Sequence, residues 1–362
     1  MAVKISIIAA VAVLETVDMT AVNMIFPAEY THASKKIEFD RYNAGIEIAT
    51  KGSFDAQAGV VGKDGFQTIT VNPMEINESI TDAPKNLGKK RIGETVYGDK
   101  KGISAGLQRS VENEMKGFGK LKLRAERLMK KSAYDVLVTG KLVVSADGLP
   151  TDELDFGLTN KVVNDNATAG QYQWFDTTNS NPIEQLENYS LNMGKYGFDT
   201  VILGFEAHKA FIRHPKVLTT DNTTTGKKAN FTNAANAEKM SKSTDTLIFV
   251  GTTAGDYGKV IEVYVELDQY NDGSSDIYYM DKNYVVGFKR NNEENAQRHY
   301  GYIPVATGEG ENVEISMFEG KEHIDGETKK DPVGVKRYYR SSPLLTMNQP
   351  KAFVSIKATL IA

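Results

Sequence analysis

The sequence predicts an α+β fold with projecting segments, on three observations. One amphipathic pattern between residues 104 and 139 reads as a single helix. The half of the chain after it alternates short strands with short helices, and a two-stranded excursion before it holds too few large hydrophobes to bury itself. With 40% hydrophobic and 25% charged residues, the 362-residue chain has a globular composition and is long enough for roughly two or three domains. Its 43 Lys and Arg against 47 Asp and Glu leave a formal charge of −4, which argues against a dedicated nucleic-acid binder. Cysteine is absent, so disulfides, thiolate nucleophiles, zinc ribbons and iron–sulfur clusters are excluded, and no cofactor is expected.

The chain opens on an apolar run, residues 5 to 14, broken only by Ser6. It is shorter than the ~20 residues that cross a bilayer, so no membrane partner is expected. Lys4 ahead of the run gives it the outline of a signal peptide, but Glu15 and Asp18 follow without a clear small-x-small cleavage site. The competing reading is an N-terminal arm whose apolar face packs on this chain or on a neighbour. Next, Ile37 and Phe39, then Ile46 and Ile48, alternate with polar residues, and residues 66 to 71 supply a return strand that Pro73 closes. Between them, residues 51 to 65 are rich in Gly and Asp, which is turn chemistry. Such a ribbon is marginal alone, and a neighbouring subunit is the natural surface for it.

In the helical segment, Leu107, Val111, Met115, Phe118, Leu121, Ala125, Leu128, Ala133 and Val136 form one apolar stripe, with Ser104 placed as N-cap. At ~1.5 Å per residue the helix runs about 50 Å, and Gly117 and Gly119 are points at which it would bend. Between residues 116 and 141 there are eight basic residues and two acidic ones, so one end of the helix is a positive stripe. Residues 141 to 145 and 151 to 156 flank an Ala-Asp-Gly-Leu-Pro turn and read as a hairpin. The polar stretch 160 to 181, with the only Trp, Trp174, reads as a connection. Then follow a helix at 182 to 195, a buried strand at 200 to 203 and a helix at 205 to 214 that Pro215 stops. Residues 219 to 246 read as surface loop around one short helix. Strands follow at 247 to 250 and at 260 to 267, where alternation of Ile261, Val263, Val265 and Leu267 with Glu262, Tyr264 and Glu266 predicts one solvated face. Asn271, Asp272 and Gly273 turn the chain, and residues 277 to 280 and 284 to 288 continue the same sheet, giving an α/β unit over about 182 to 320. Two last strands, 336 to 341 and 352 to 361, are separated by Pro343 and Pro350.

Few residues nominate chemistry. Gly102, Ile103, Ser104, Ala105 and Gly106 match the G-x-S-x-G elbow of serine hydrolases, yet the elbow needs an apolar strand upstream and residues 97 to 101 are polar. Ser104 as a helix cap explains the same residues. His32, His208, His214, His299 and His323 form no H-E-x-x-H pair, and His208 and His214 point to different faces of a helix. Residues 251 to 259 are similar to a Walker loop, but the glycine spacing is wrong and Val260 replaces the required hydroxyl. The basic stripe of Lys116, Lys120, Lys122, Arg124, Arg127, Lys130 and Lys131 suits phosphates, or else is a solvated helix face paired with acids.

Three segments carry a family likeness. Residues 197 to 204 (Gly-Phe-Asp-Thr-Val-Ile-Leu-Gly) precede Ala207, Phe211 and the His-Pro-Lys-Val of 214 to 217. Residues 260 to 288 hold a Tyr-Asn-Asp-Gly turn at 270 to 273 and Asp-Lys-Asn at 281 to 283 ahead of Val-Val-Gly at 285 to 287. Ser-Ser-Pro-Leu-Leu at 341 to 345 and Pro-Lys-Ala-Phe-Val at 350 to 354 close the chain. Together with the order of parts, these resemble the major capsid proteins of tailed bacteriophages with the Hong Kong 97-type fold, most closely the lambda-like (gpE) family. Met280 departs from that pattern, standing where a Pro is expected, and the arm is more apolar than its counterparts.

The resemblance implies an N-arm at 1–36, an E-loop at 37–72, a P-domain at 73–182 with its spine helix at 102–139, an A-domain at 183–325 and a return to the P-domain at 326–362. It implies a structural protein without catalytic residues that self-assembles into hexamers and pentamers of an icosahedral shell around double-stranded DNA in the bacterial host cytoplasm. Portal, scaffold and decoration proteins would be its partners, the scaffold being a separate chain. The arm and E-loop would lie across neighbours, with Lys51, Phe54, Lys63 and Phe66 as inter-subunit positions, and the spine's basic stripe would line the interior against DNA. Lys51 and Lys63 match a Lys–Asn cross-linking position by location only. An encapsulin-like compartment, a serine hydrolase using Ser104 and a secreted β-rich surface protein are the alternatives.

Overall fold

The computed structural model describes residues 17–42, 66–82, 105–143, 153–221, 229–230, 242–254, 256–307, 314–330 and 333–360. Its centre is a seven-stranded sheet in the order 161–163, 354–357, 284–288, 200–203, 260–266, 247–254, 229–230. The sheet is mixed, since Thr200–Leu203 runs parallel to Val260–Glu266 and antiparallel to Tyr284–Phe288. Period-two alternation divides its side chains between two cores. Val201, Leu203, Val263, Val265 and Val285 face one core, shared with Leu186, Ala207 and Phe211 of the helices Pro182–Asn192 and Phe205–Arg213. Ile202, Phe249, Tyr264, Val286 and Phe288 face the other, shared with the end of the long helix.

Burial on both faces explains why Thr200–Leu203 is apolar throughout, and it corrects the reading of Val260–Glu266 as half solvated. Tyr264 and Glu266 are buried because the long helix covers them. The sheet is also not closed within residues 182 to 320: Lys161–Val163 and Val354–Lys357 supply its far edge. The stretch 160 to 181 is therefore more than a connection, and Trp174 is a core residue, its ring 5.5 Å from Phe211 and its Nε1 donating to Gln185 at 2.8 Å. Asp276–Tyr278 does not continue the sheet; it pairs only with Gln269–Asn271. Pro215, expected to stop a helix, opens the next one, Pro215–Asp221, in the position where its missing N–H costs nothing. The short helix expected within 219 to 246 lies outside the described residues.

The helix Ala105–Thr139 runs unbroken through Gly117 and Gly119. Leu121 and Ala125 pack on Ile76 and Tyr339 of a three-stranded sheet ordered 323–330, 333–341, 76–82. Its last turns place Ala133, Tyr134, Val136 and Leu137 beneath the central sheet. One helix therefore braces two sheets. Leu128 leaves the expected stripe and is 44% exposed. Beyond the helix, Lys141–Val143 and Glu153–Asp155 pair as the expected hairpin.

The excursion pairs Ile37–Tyr42 with Phe66–Val71, Ile37 opposite Val71 and Tyr42 opposite Phe66. Its base needs no neighbour. Ile37 and Phe39 are buried in this chain's own core, with Phe39 6.2 Å from the Phe156 ring. The described part of the arm is likewise intramolecular: Thr20–Ile25 is a helix that buries Ala21, Val22, Met24 and Ile25, and Ala28–Thr31 adds a parallel strand to Ala296–Tyr300.

Gly204 joins the central sheet to the helix that follows it. A Cβ there would meet the Asp281 carbonyl oxygen at 2.2 Å, a contact only backbone movement relieves. Gly204→Ala is expected to destabilise the chain by about 1–3 kcal/mol, as overpacking does, read as a lower urea midpoint at unchanged m.

Candidate functional site

The basic stripe is sorted by rotation around the helix and by what covers each of its turns. At about 100° per residue, Lys116, Lys120, Arg124, Arg127 and Lys131 fall within roughly 80° of one another and Lys130 lies only about 40° beyond Lys116, while Lys122 points elsewhere. Lys116, Lys120 and Arg127 are exposed and carry no ion pair among the described residues. Arg124 reaches Glu78 at 3.0 Å, and Lys131 pairs with Asp135 one turn on. Lys122, half-buried, meets Glu322 at 3.1 Å and ties the helix to the outer sheet.

Lys130 leaves the stripe altogether. Its side chain is 0% exposed, 2.7 Å from Asp268 and 3.3 Å from Glu266, with its ammonium 5.0 Å from the centre of the Tyr279 ring. Tyr134 donates to the second Glu266 oxygen at 2.5 Å. Burial pushes Glu266 above the usual carboxylate range, and the Lys130 charge and the Tyr134 hydrogen bond oppose that shift without cancelling it. Burial, then the Glu266 charge, raises the Tyr134 phenol well above its ordinary value. Lys130 is thus a structural cation and not a DNA-facing one. Helical spacing alone leaves Lys130 beside the exposed face; what buries it is the central sheet over the last turns of the helix, and since Glu266 lies 136 residues away no local pattern names it.

Of the E-loop positions, Phe66 ends the hairpin strand opposite Tyr42. Lys51, Phe54 and Lys63 lie outside the described residues, as do Ser104 and the apolar run 5 to 14. The histidines are packed groups. His214 is buried with its Nε2 2.9 Å from Ser180 Oγ, and burial lowers the pKa of His208. His323 sits edge-on to Phe318. Among the described residues no group of three or more His, Asp or Glu side chains is placed to hold a metal ion, and no helix is long and apolar enough to cross a membrane.

Two polar clusters went unnoticed in the sequence, and both hold the N-terminal segment. Asp18 accepts from Thr246 at 2.9 Å, from the Thr20 backbone at 3.0 Å and from Thr244. Burial works to raise its pKa, but these donors together outweigh it and hold the carboxyl at about 2. His32 Nε2 lies 2.9 Å from His299 Nδ1, and Tyr30 stacks on His299 at 5.4 Å. Burial, then the neighbouring His32, depresses His299 to about 4.

A family model described as phage major capsid protein E matches residues 5–358. No curated protein matches the sequence. Among solved structures the chain is similar to the putative capsid protein of a prophage of E. coli CFT073, with TM-score 0.62 and 16% identity over 97% of this chain and 95% of that one. A phage-related protein of Bordetella bronchiseptica RB50 gives 0.49 and 11% over 97% and 96%. The mature capsid of bacteriophage PhiM1 gives 0.48 and 10% over 92% and 85%.

Two expectations follow from the buried groups. Lys130→Met keeps the stem but leaves Glu266 buried without its counter-charge, and is expected to cost about 3–5 kcal/mol in chemical denaturation. Adding Glu266→Gln should recover most of that loss. The second concerns pH. His299 binds its proton less readily folded than unfolded, so its contribution is complete above the unfolded pKa of about 6.5 and is lost as pH falls through the folded value. Melting temperatures should drop between pH 7 and 4.5, and His299→Phe, which keeps a ring against Tyr30, should flatten that drop.

Proposed function

We propose, for a chain that belongs to the phage major capsid protein E family, that its surfaces divide between contacts with copies of itself and an interior lining for DNA. Members of the family are structural proteins, and this chain is a subunit of a multi-subunit icosahedral phage shell with the Hong Kong 97-type fold. The observation that carries this conclusion is the family match over residues 5–358, together with the shared fold at TM-score 0.62.

Beyond that, the reading is that the shell consists of hexamers and pentamers assembled in the bacterial cytoplasm with portal and scaffold proteins, and that a decoration protein is a further partner. The segment boundaries at residues 36, 72, 182 and 325 are part of it. Lys116, Lys120 and Arg127 are the DNA-facing set, because they share one helix face, are exposed and are not neutralised by an acid among the described residues. Contacts of this kind need no base readout, since phosphate charge alone supplies them.

Negative-stain microscopy of the expressed full chain should show closed shells; a chain that remains monomeric at high concentration overturns the assignment. The triple variant Lys116→Glu, Lys120→Glu, Arg127→Glu should reduce nucleic acid retained per particle several-fold while particle yield is unchanged. Parallel loss of both would return these residues to a packing role.

A further inference from the structure

The strands Ile303–Thr307 and Glu314–Phe318 form a two-stranded ribbon that pairs with no other strand among the described residues. Side chains directly opposite in an antiparallel pair share a face. Ile303 and Val305 point inward and are buried. The other face carries Ala306 opposite Ile315 and Pro304 opposite Met317, four apolar side chains and no charge. Ile315 is 81% and Met317 68% exposed, two of the three most exposed large hydrophobics among the described residues. All five residues of Glu314–Phe318 are exposed, and the outer edge of that strand offers unpaired N–H and C=O groups. Beside the face lies a groove of about 390 Å³ whose walls combine Pro73, Ile76, Ala306 and Ile315 with the charged Lys35, Glu75 and Arg340.

Lone exposed hydrophobes need no explanation, but adjacent ones on an unpaired ribbon mark a contact. We propose that this ribbon face is an inter-subunit contact that packs against a second copy of this chain. The inference rests on the shell reading, which surrounds every subunit with copies of itself. Chemistry favours a protein partner over the other component of a filled shell, because phosphates are drawn to cations and the four side chains of this face have none; Lys35 and Arg340 in the adjoining groove are accompanied by Glu75. Size argues the same way. Four side chains fall far short of the ~1,200–2,000 Å² of a stable dimer, so the contact acts only as one of many in a closed assembly.

The test uses the full-length chain with Ile315→Asp and Met317→Asp made separately, and Tyr257→Asp as a control of matching exposure (76%) elsewhere. Yield of sedimenting shells should fall about tenfold or more in the first two, as when a charge is forced into an apolar contact, and stay unchanged in the third, with melting of the unassembled chains unaltered in all. Shells at full yield from either ribbon variant overturn the inference and leave the shell reading standing. A wild-type chain that forms no shells overturns both. Should an aspartate variant fail to fold, a photo-crosslinking residue at position 315 decides the matter. An adduct of twice the chain mass in assembled particles supports the inference; no adduct, or one with a different protein, overturns it.

Discussion

The buried ammonium of Lys130 fixes where the long helix sits. Desolvating it is expensive, and the cost is offset only where Glu266, Asp268, Tyr134 and the Tyr279 ring converge. Sliding the helix by one residue would rotate Lys130 by about 100° and strand the charge in the second core. Apolar packing alone tolerates such slips far better than a buried charge does. The ion cluster therefore sets register. Once it is set, Leu121 and Ala125 fall on the outer sheet, Lys122 reaches Glu322, and Lys116, Lys120 and Arg127 are turned to solvent.

The N-terminal segment closes the same core from the other side. Its helix contributes Val22, Met24 and Ile25, and the next residue Phe26, to the cluster that holds Tyr134 and Leu137. Polar anchors on both flanks, Asp18 with residues 244 to 246 and His32 with His299, hold it in place. Segments expected to project onto neighbours are thus rooted in their own subunit. The two functions are compatible, because a projection transmits force to a shell only if its base is rigid.

The long helix was legible because a 3.6-residue period sustained over 35 residues has no competing explanation, and the hairpin base because alternation is explicit in Ile37 and Phe39. Trp174 was hidden by its polar surroundings; its indole N–H is satisfied by Gln185, so no apolar run announced its burial. Glu262, Tyr264 and Glu266 read as a solvated face for a similar reason. A buried carboxylate is indistinguishable from an exposed one until its partner is known, and Lys130 is remote in sequence. The candidate site was legible as a list of basic residues but not as a surface, because a list treats the helix as a line. Taken as a cylinder, the helix sets Lys122 apart from the other cations, but Lys130 becomes a core residue only because the central sheet covers that end of the helix.

A shell subunit faces a constraint that enzymes escape: it must remain soluble alone yet bind its copies on several sides. Large apolar patches would satisfy the second demand and violate the first. Dividing the contacts into small faces, each too weak to hold a pair together, satisfies both, because closure multiplies weak contacts while isolated encounters dissociate. On this argument the ribbon of Ile315 and Met317 is as apolar as solubility permits, and the absence of charge from its face follows from what it meets. The exposed face of the long helix carries the opposite chemistry, cations without apolar neighbours of comparable exposure among the described residues save Leu128. One subunit thus separates in space the surface suited to its copies from the surface suited to phosphates, and the buried register at Lys130 keeps the second of them turned outward from its own core.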